Sequence, residues 1–154
     1  MLKQAITRIL IPIDFSDSAR CAFYTGLSMA QQNDAEAYIL HVSEPLRAFD
    51  FGKKRYVDTR NTLERVEKGV KRRIDELWKE SGIEAVDRRK IHMIIRGGTA
   101  EEEIVAVAKE KAMDLIVLGT SGASGLQALL GSTAERVVRN APCSVFCVRM
   151  PNKE

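Results

Sequence analysis

The residues best suited to chemistry lie in one run, Gly119-Thr120-Ser121-Gly122-Ala123-Ser124-Gly125, which continues to Gly131-Ser132-Thr133. Four of the chain's ten glycines fall between Gly119 and Gly131. Glycine admits positive φ and lets the backbone approach a ligand closely. The run follows an apolar stretch, Leu115 to Leu118, and precedes a segment with helical spacing. It therefore joins a buried strand to a helix start, where unpaired N–H groups and the positive end of the helix dipole suit a phosphate. Neither G-x-x-x-x-G-K-[ST] nor G-x-G-x-x-G occurs, which excludes a Walker A loop and a dinucleotide fingerprint. The same run also reads as a flexible connector ahead of a capped helix. Ser132 has two roles open to it: N-cap of that helix, or donor to a phosphate.

Other reactive groups are few. The histidines are His41 and His92, both inside strand-like patterns that suggest packed or rim residues. The three cysteines, Cys21, Cys143 and Cys147, show no C-x-x-C spacing. Cys143 and Cys147 would lie roughly 13 Å apart on a strand, too far for a disulfide. They read as small apolar strand residues. No nucleophile–base pair accompanies the glycine run.

The elements that must position this run follow from periodicity. Ile9-Leu10-Ile11-Pro12-Ile13-Asp14 is a nearly continuous apolar run, as expected of a strand buried on both faces. Pro12 cannot donate to a ladder, so it belongs near the strand's end or beside a ligand. Ser16 or Asp17 caps a helix carrying Ala19, Ala22, Phe23, Gly26, Leu27 and Ala30 on one face. Ala37 to Val42 is a second strand, 46–58 a loop, and Thr59 to Ser81 a long helix ended by Gly82. Lys90 to Arg96 is a third strand, and Gly97-Gly98 turns the chain. Thr99 and Glu102 form a capping box for a helix reaching about Ala112. Asp114 to Leu118 is the fourth strand. Ser132 and Glu135 form a second capping box, with Ala134, Val137, Val138 and Ala141 facing inward and Pro142 ending the helix. Ser144 to Arg149 is the last strand. Alternating strands and helices predict one doubly wound domain, 1–154: an α/β fold with a five-stranded parallel sheet and helices on both faces. Ligands of such sheets lie beyond the strands' carboxyl ends, where the strand order reverses.

Composition narrows the class. With 154 residues, 45% hydrophobic and 29% charged, the chain has the size of one domain and an apolar content incompatible with wholesale disorder. The apolar runs are far shorter than the roughly 20 residues of a membrane span, and no secretory signal pattern opens the sequence. A cytoplasmic protein is expected. A net charge of +3 is too mild for a dedicated nucleic-acid binder. The stretch Lys53 to Arg73 carries nine Lys/Arg and three Asp/Glu. It reads either as an anion-binding surface or as the solvated face of a helix.

These residues together resemble the universal stress protein family. The resemblance runs from Ile9-Leu-Ile-Pro-Ile-Asp-Phe-Ser16, through Gly98-Thr-Ala-Glu-Glu-Glu-Ile104 and Asp114-Leu-Ile-Val-Leu-Gly119, to Gly131-Ser132 and Ala141-Pro-Cys-Ser-Val145. It implies an adenine nucleotide alpha hydrolase-like sheet, a homodimer, and ATP or AMP held through a G-x2-G-x9-G-[ST] motif on Gly119, Gly122, Gly131 and Ser132, with Thr133 beside them. Here eight residues, Ala123 to Leu130, replace the nine of that motif. No Lys or Arg occurs from Gly119 to Glu135, and Ala123 stands where the family often has a basic residue. Backbone N–H groups and hydroxyls of Ser124, Ser132 or Thr133 would then hold the phosphates. Triphosphate binding is expected to be weaker than in members with the basic residue.

By the same resemblance, Asp14 would accept hydrogen bonds from the ribose or adenine, although it also reads as a cap for the following helix. Pro12 would lie against the base, and the Val42 backbone would read the adenine edge. The final strand would pair with its twofold mate, as an exposed apolar edge invites. The expected function is an adenine-nucleotide-binding, stress-response homodimer acting as a sensor. The alternatives are a protein-interaction module of the same fold without nucleotide, and a slow ATPase with Mg2+ near Asp14 or Asp17.

Overall fold

The computed structural model describes residues 5–43, 49–50, 55–56, 60–83, 87–121 and 130–151. Strand β1 (Arg8–Pro12) enters helix α1 (Asp17–Asn33), then β2 (Glu36–Ser43). A two-stranded antiparallel ribbon, β3 (Phe49–Asp50) with β4 (Arg55–Tyr56), precedes α2 (Arg60–Ser81). A 3-10 turn, Arg88–Lys90, leads into β5 (Ile91–Gly97) and α3 (Ala100–Glu110). The chain closes with β6 (Leu115–Gly119), α4 (Ser132–Asn140) and β7 (Ser144–Val148).

β5, β2, β1, β6 and β7 form one parallel sheet in that order. The chain first winds outward from β1 through β2 to β5. It then returns across α3 to β6 and continues to β7, so the order reverses between β1 and β6. The apolar runs Ile9–Ile11 and Ile116–Val117 are fully buried, because parallel strands covered on both faces have no solvent side.

Two cores result. On one face Ile9, Ile11, Phe23, Leu27, Ile39 and Val117 pack with α1 and with Val70, Ile74 and Leu77 of α2. On the other, Leu10, Leu40, Ile116 and Leu118 pack with Ile104 and Val107 of α3 and Ala134 and Val137 of α4.

Several sequence expectations are corrected. The segment 46–58 includes the β3–β4 ribbon rather than loop alone; its strands are two residues each, too short to show a period. Val138 is 47% exposed and not on the inner face of α4. Thr99 is the N-cap of α3, yet its side chain makes no capping bond. Gly131, not Ser132, is the N-cap of α4; Ser132 is its first helical residue. Ser16 caps α1 by accepting from the Ala19 N–H at 3.2 Å.

A carboxylate fixes how β1 meets β6. Asp114 Oδ2 accepts from Thr7 N–H and Oγ1–H, both at 2.8 Å, and from Arg8 N–H at 3.0 Å. Burial alone would raise its pKa, but the bonds from Thr7 and Arg8 outweigh this and hold the carboxyl below its ordinary value. A group depressed in the folded state stabilises above its unfolded pKa, about 3.9 for Asp, and loses that stabilisation as pH falls through the folded value. Asp114→Ala is therefore expected to cost about 1–3 kcal/mol at neutral pH by urea unfolding. The deficit should shrink below about pH 4. An equal deficit at neutral and acid pH would contradict this assignment.

Candidate functional site

A cavity of about 320 Å³ opens at the carboxyl ends of β1, β2 and β6, at the point of strand reversal. That is the position expected of a ligand site in a doubly wound sheet, at the small end of the ligand-pocket range. Pro12, Asp14, Val42, Gly119, Gly131, Ser132 and Thr133 all line it, as do Ser16, Thr120 and Ser121. Gly122 lies outside the described residues. Among the described lining residues, Asp14 is the only charged side chain.

The β1 wall is shaped by where hydrogen bonding stops. Pairing of β1 with β6 is confined to Ile9–Leu115 and Leu10–Ile116. Pro12, two residues on, therefore has no β6 partner to disappoint, and the gap beyond it becomes the crevice. Ile13 N–H donates to Leu40 O at 2.8 Å, the last backbone bond between β1 and β2. Side-by-side strands bond through alternate residues, so Val42 turns its main-chain N–H and C=O past the end of β1 into the cavity mouth. Asp14 Oδ1 accepts from Ser16 N–H at 2.9 Å. This Asx turn supports the helix start, while Ser16 does the capping. Asp14 itself is exposed at the rim.

The β6 wall depends on a close approach. A Cβ on Gly119 would meet the backbone of Ser18, 2.7 Å from its carbonyl carbon and 2.8 Å from its carbonyl oxygen. Real Cβ atoms do not sit so near, so glycine is required here for packing. Ser18 is only 2% exposed, and its Oγ accepts from Ser121 N–H at 3.3 Å. Thr120 N–H donates to Val148 O at 3.1 Å, and Gly131 N–H donates to Thr120 O at 2.6 Å. The two ends of the glycine run are thus tied together at the cavity. Ser132 and Thr133 form the first turn of α4, whose opening N–H groups are among those a helix leaves unpaired.

The turn between Asp14 and Ser16 holds a backbone outlier. Phe15 has φ 63°, a left-handed conformation unusual for a bulky residue and costing about 1–3 kcal/mol. Its ring packs on the core. The His41 ring lies 5.3 Å away, and the Arg73 guanidinium sits 4.0 Å over its centroid. An aromatic pair contributes about 0.5–1.5 kcal/mol and a cation–π contact from an exposed cation about 0.5–1 kcal/mol, together of the same order as the strain. His41 Nδ1–H also donates to Ile13 O at 2.8 Å, since a carbonyl can only accept.

Sequence reasoning did not single out Ser18, Phe15 or Arg73, because each acts through a tertiary contact without a local pattern. Ser18 alone left a trace: a serine aligned with the apolar stripe of α1. His41 is a rim residue with a bonding role at the end of β1. Burial pushes the thiols of Cys143 and Cys147 above their usual pKa, consistent with packing rather than nucleophilic roles.

The strand order, the two helical layers and the cavity at the reversal point define a doubly wound α/β fold. The model of the universal stress protein family matches residues 5–149, and the chain belongs to that family. A universal stress protein of Methanocaldococcus jannaschii is 37% identical over 157 positions, covering 96% of this chain and 84% of the relative. The structure of UspA from Lactobacillus plantarum superposes with a TM-score of 0.75 at 26% identity, covering 96% of this chain and all (100%) of that one. A universal stress protein from Archaeoglobus fulgidus, solved in complex with dAMP, shares the fold with a TM-score of 0.60 at 21% identity, covering 95% and 100%.

Two glycine variants test the packing of this site. Gly119→Ala is expected to destabilise by about 1–3 kcal/mol, as overpacking against backbone does. Gly69→Ala in α2 meets nothing within 4 Å and should stabilise by about 0.5–1 kcal/mol through helix propensity. Chemical unfolding of both reads the contrast; equal effects would contradict the close approach at Gly119.

Proposed function

We propose that this universal stress protein binds an adenine nucleotide in the cavity between β1 and β6, and that it acts as a ligand-responsive homodimer rather than a fast enzyme. One observation carries the reading. A single cavity gathers a carboxylate (Asp14), the main-chain edge at the end of β2 (Val42), and a helix N-terminus with hydroxyls (Ser132, Thr133). Those are the recognition chemistries of a ribose, an adenine edge and a phosphate respectively. The dAMP complex of the Archaeoglobus fulgidus relative supports the ligand class.

The charge of the site bears on which nucleotide binds. No Lys or Arg occurs from Gly119 to Glu135, and Arg136, the next cation, is engaged by Glu101 of α3. Additional phosphates would gain only neutral donors, and charge-assisted bonds are roughly twice as strong as neutral ones. AMP should therefore bind at least as tightly as ATP.

The dimer reading rests on β7. It is an edge strand, and it carries Phe146, 46% exposed. An apolar strand edge is a ready template for pairing with a second copy. The missing positive charge also favours a second reading, an interaction module of this fold that uses the same edge and no nucleotide.

Calorimetry separates the two readings. The first predicts saturable, one-to-one binding of AMP and tighter or equal binding relative to ATP; no heat with either nucleotide favours the second. Gly131→Asp tests the location. The backbone there, φ −59° and ψ 153°, suits any residue, and Asp is a good N-cap. The variant should therefore fold while repelling phosphate, with AMP affinity reduced at least about tenfold. Phe146→Asp should convert dimer to monomer in sedimentation velocity; an unchanged dimer would place the interface elsewhere.

A further inference from the structure

We propose that Phe15 and Arg73 form a positioning device that holds the β1–α1 turn in its left-handed conformation and so presents Asp14 to the cavity. The claim about ligand affinity rests on the nucleotide reading above; the claim about the turn does not.

Phe15 stands between the two residues whose bond shapes this rim, Asp14 and Ser16. With φ 63° it occupies a region that a bulky side chain leaves unless something holds it. What holds it comes from outside the turn. The ring is seated on the core, flanked by His41 at 5.3 Å and covered by Arg73 of α2 at 4.0 Å. Neither Phe15 nor Arg73 lines the large cavity. Both line a separate cavity of about 150 Å³ behind the turn, with Arg20 and Glu80. The turn is thus a partition, with the ligand side in front and its clamp behind.

Release of the clamp has a defined consequence. A relaxed Phe15 would move to negative φ, and the chain direction between Asp14 and Ser16 would change. The bond from Ser16 N–H to Asp14 Oδ1 would then be lost, and the carboxylate would no longer be fixed at the rim. Arg73 is exposed, so its removal leaves the core intact. Its effect on a ligand it does not touch would be transmitted through the turn.

The test compares the parent with Phe15→Ala, Phe15→Tyr, Arg73→Ala and Arg73→Lys. Without ligand, the backbone carbon shifts of Phe15 report the sign of φ. They should move toward negative-φ values in R73A and stay at parental values in R73K, which keeps the cation. With AMP in calorimetry, F15A and R73A should lose roughly two- to fivefold in affinity, while F15Y and R73K bind as the parent does. A merely structural role would lower thermal stability without that rescue pattern. Unchanged Phe15 shifts in R73A overturn the proposal, and so does parental AMP affinity in folded F15A. Should F15A not fold, the Arg73 pair decides alone. A parent that binds neither AMP nor ATP defeats the nucleotide reading, while the Phe15 shifts still decide whether Arg73 holds the turn.

Discussion

The contact on which the site depends is the approach of Gly119 to Ser18. The end of β6 and the first turn of α1 run so close that no side chain fits between them. That proximity buries Ser18, whose hydroxyl then accepts from Ser121 N–H and sets the direction in which the chain leaves β6. On the far side, Thr120 is anchored to β7 and to Gly131. The mouth of the cavity is therefore defined by backbone packing, and the helix start of α4 is held there by the bond from Gly131 N–H to Thr120 O together with the packing of Ala134 and Val137 on the sheet. A glycine in such a loop is easily credited to ligand binding alone. Gly119 instead earns its place through helix–strand packing, and any ligand uses the geometry that packing leaves.

Much of this fold is legible in the sequence. The buried runs Ile9–Ile13 and Leu115–Leu118 mark central strands, and the stripe Val70, Ile74, Leu77 marks α2. The alternation of these elements leads to a parallel sheet with a reversal point. Site placement is legible wherever it follows from topology: residues ending β1, β2 and β6 must converge there. The cap position at Thr99 is legible and its capping bond is not, because a Thr-x-x-Glu or Ser-x-x-Glu pattern states only that a bond is available. The backbone path decides whether it forms, and at Ser132 it places Gly131 in the cap position. The β3–β4 ribbon is too short for periodicity to reveal. Phe15 offers no local signal, since its conformation is imposed by His41 and Arg73, distant in sequence.

The site is electrostatically spare. Asp14 is its one charged side chain among the described lining residues, and the neighbouring cation Arg136 is committed to Glu101. A phosphate there would be held by main-chain groups, hydroxyls and the dipole of α4. Such a site has little to gain from a highly charged ligand and much to gain from a rigid rim. The strained turn at Phe15 fits that need, because its cost is offset by packing that lies outside the cavity.

Chemical-shift mapping of AMP onto the 15N-labelled protein tests the central claim most directly, because it reports where the ligand sits. The account predicts saturable shifts centred on the amides of Asp14, Val42, Thr120, Ser121, Ser132 and Thr133, with the outer faces of α2 and α3 unmoved. Shifts concentrated on those outer faces, or none at all at saturating AMP, would contradict it.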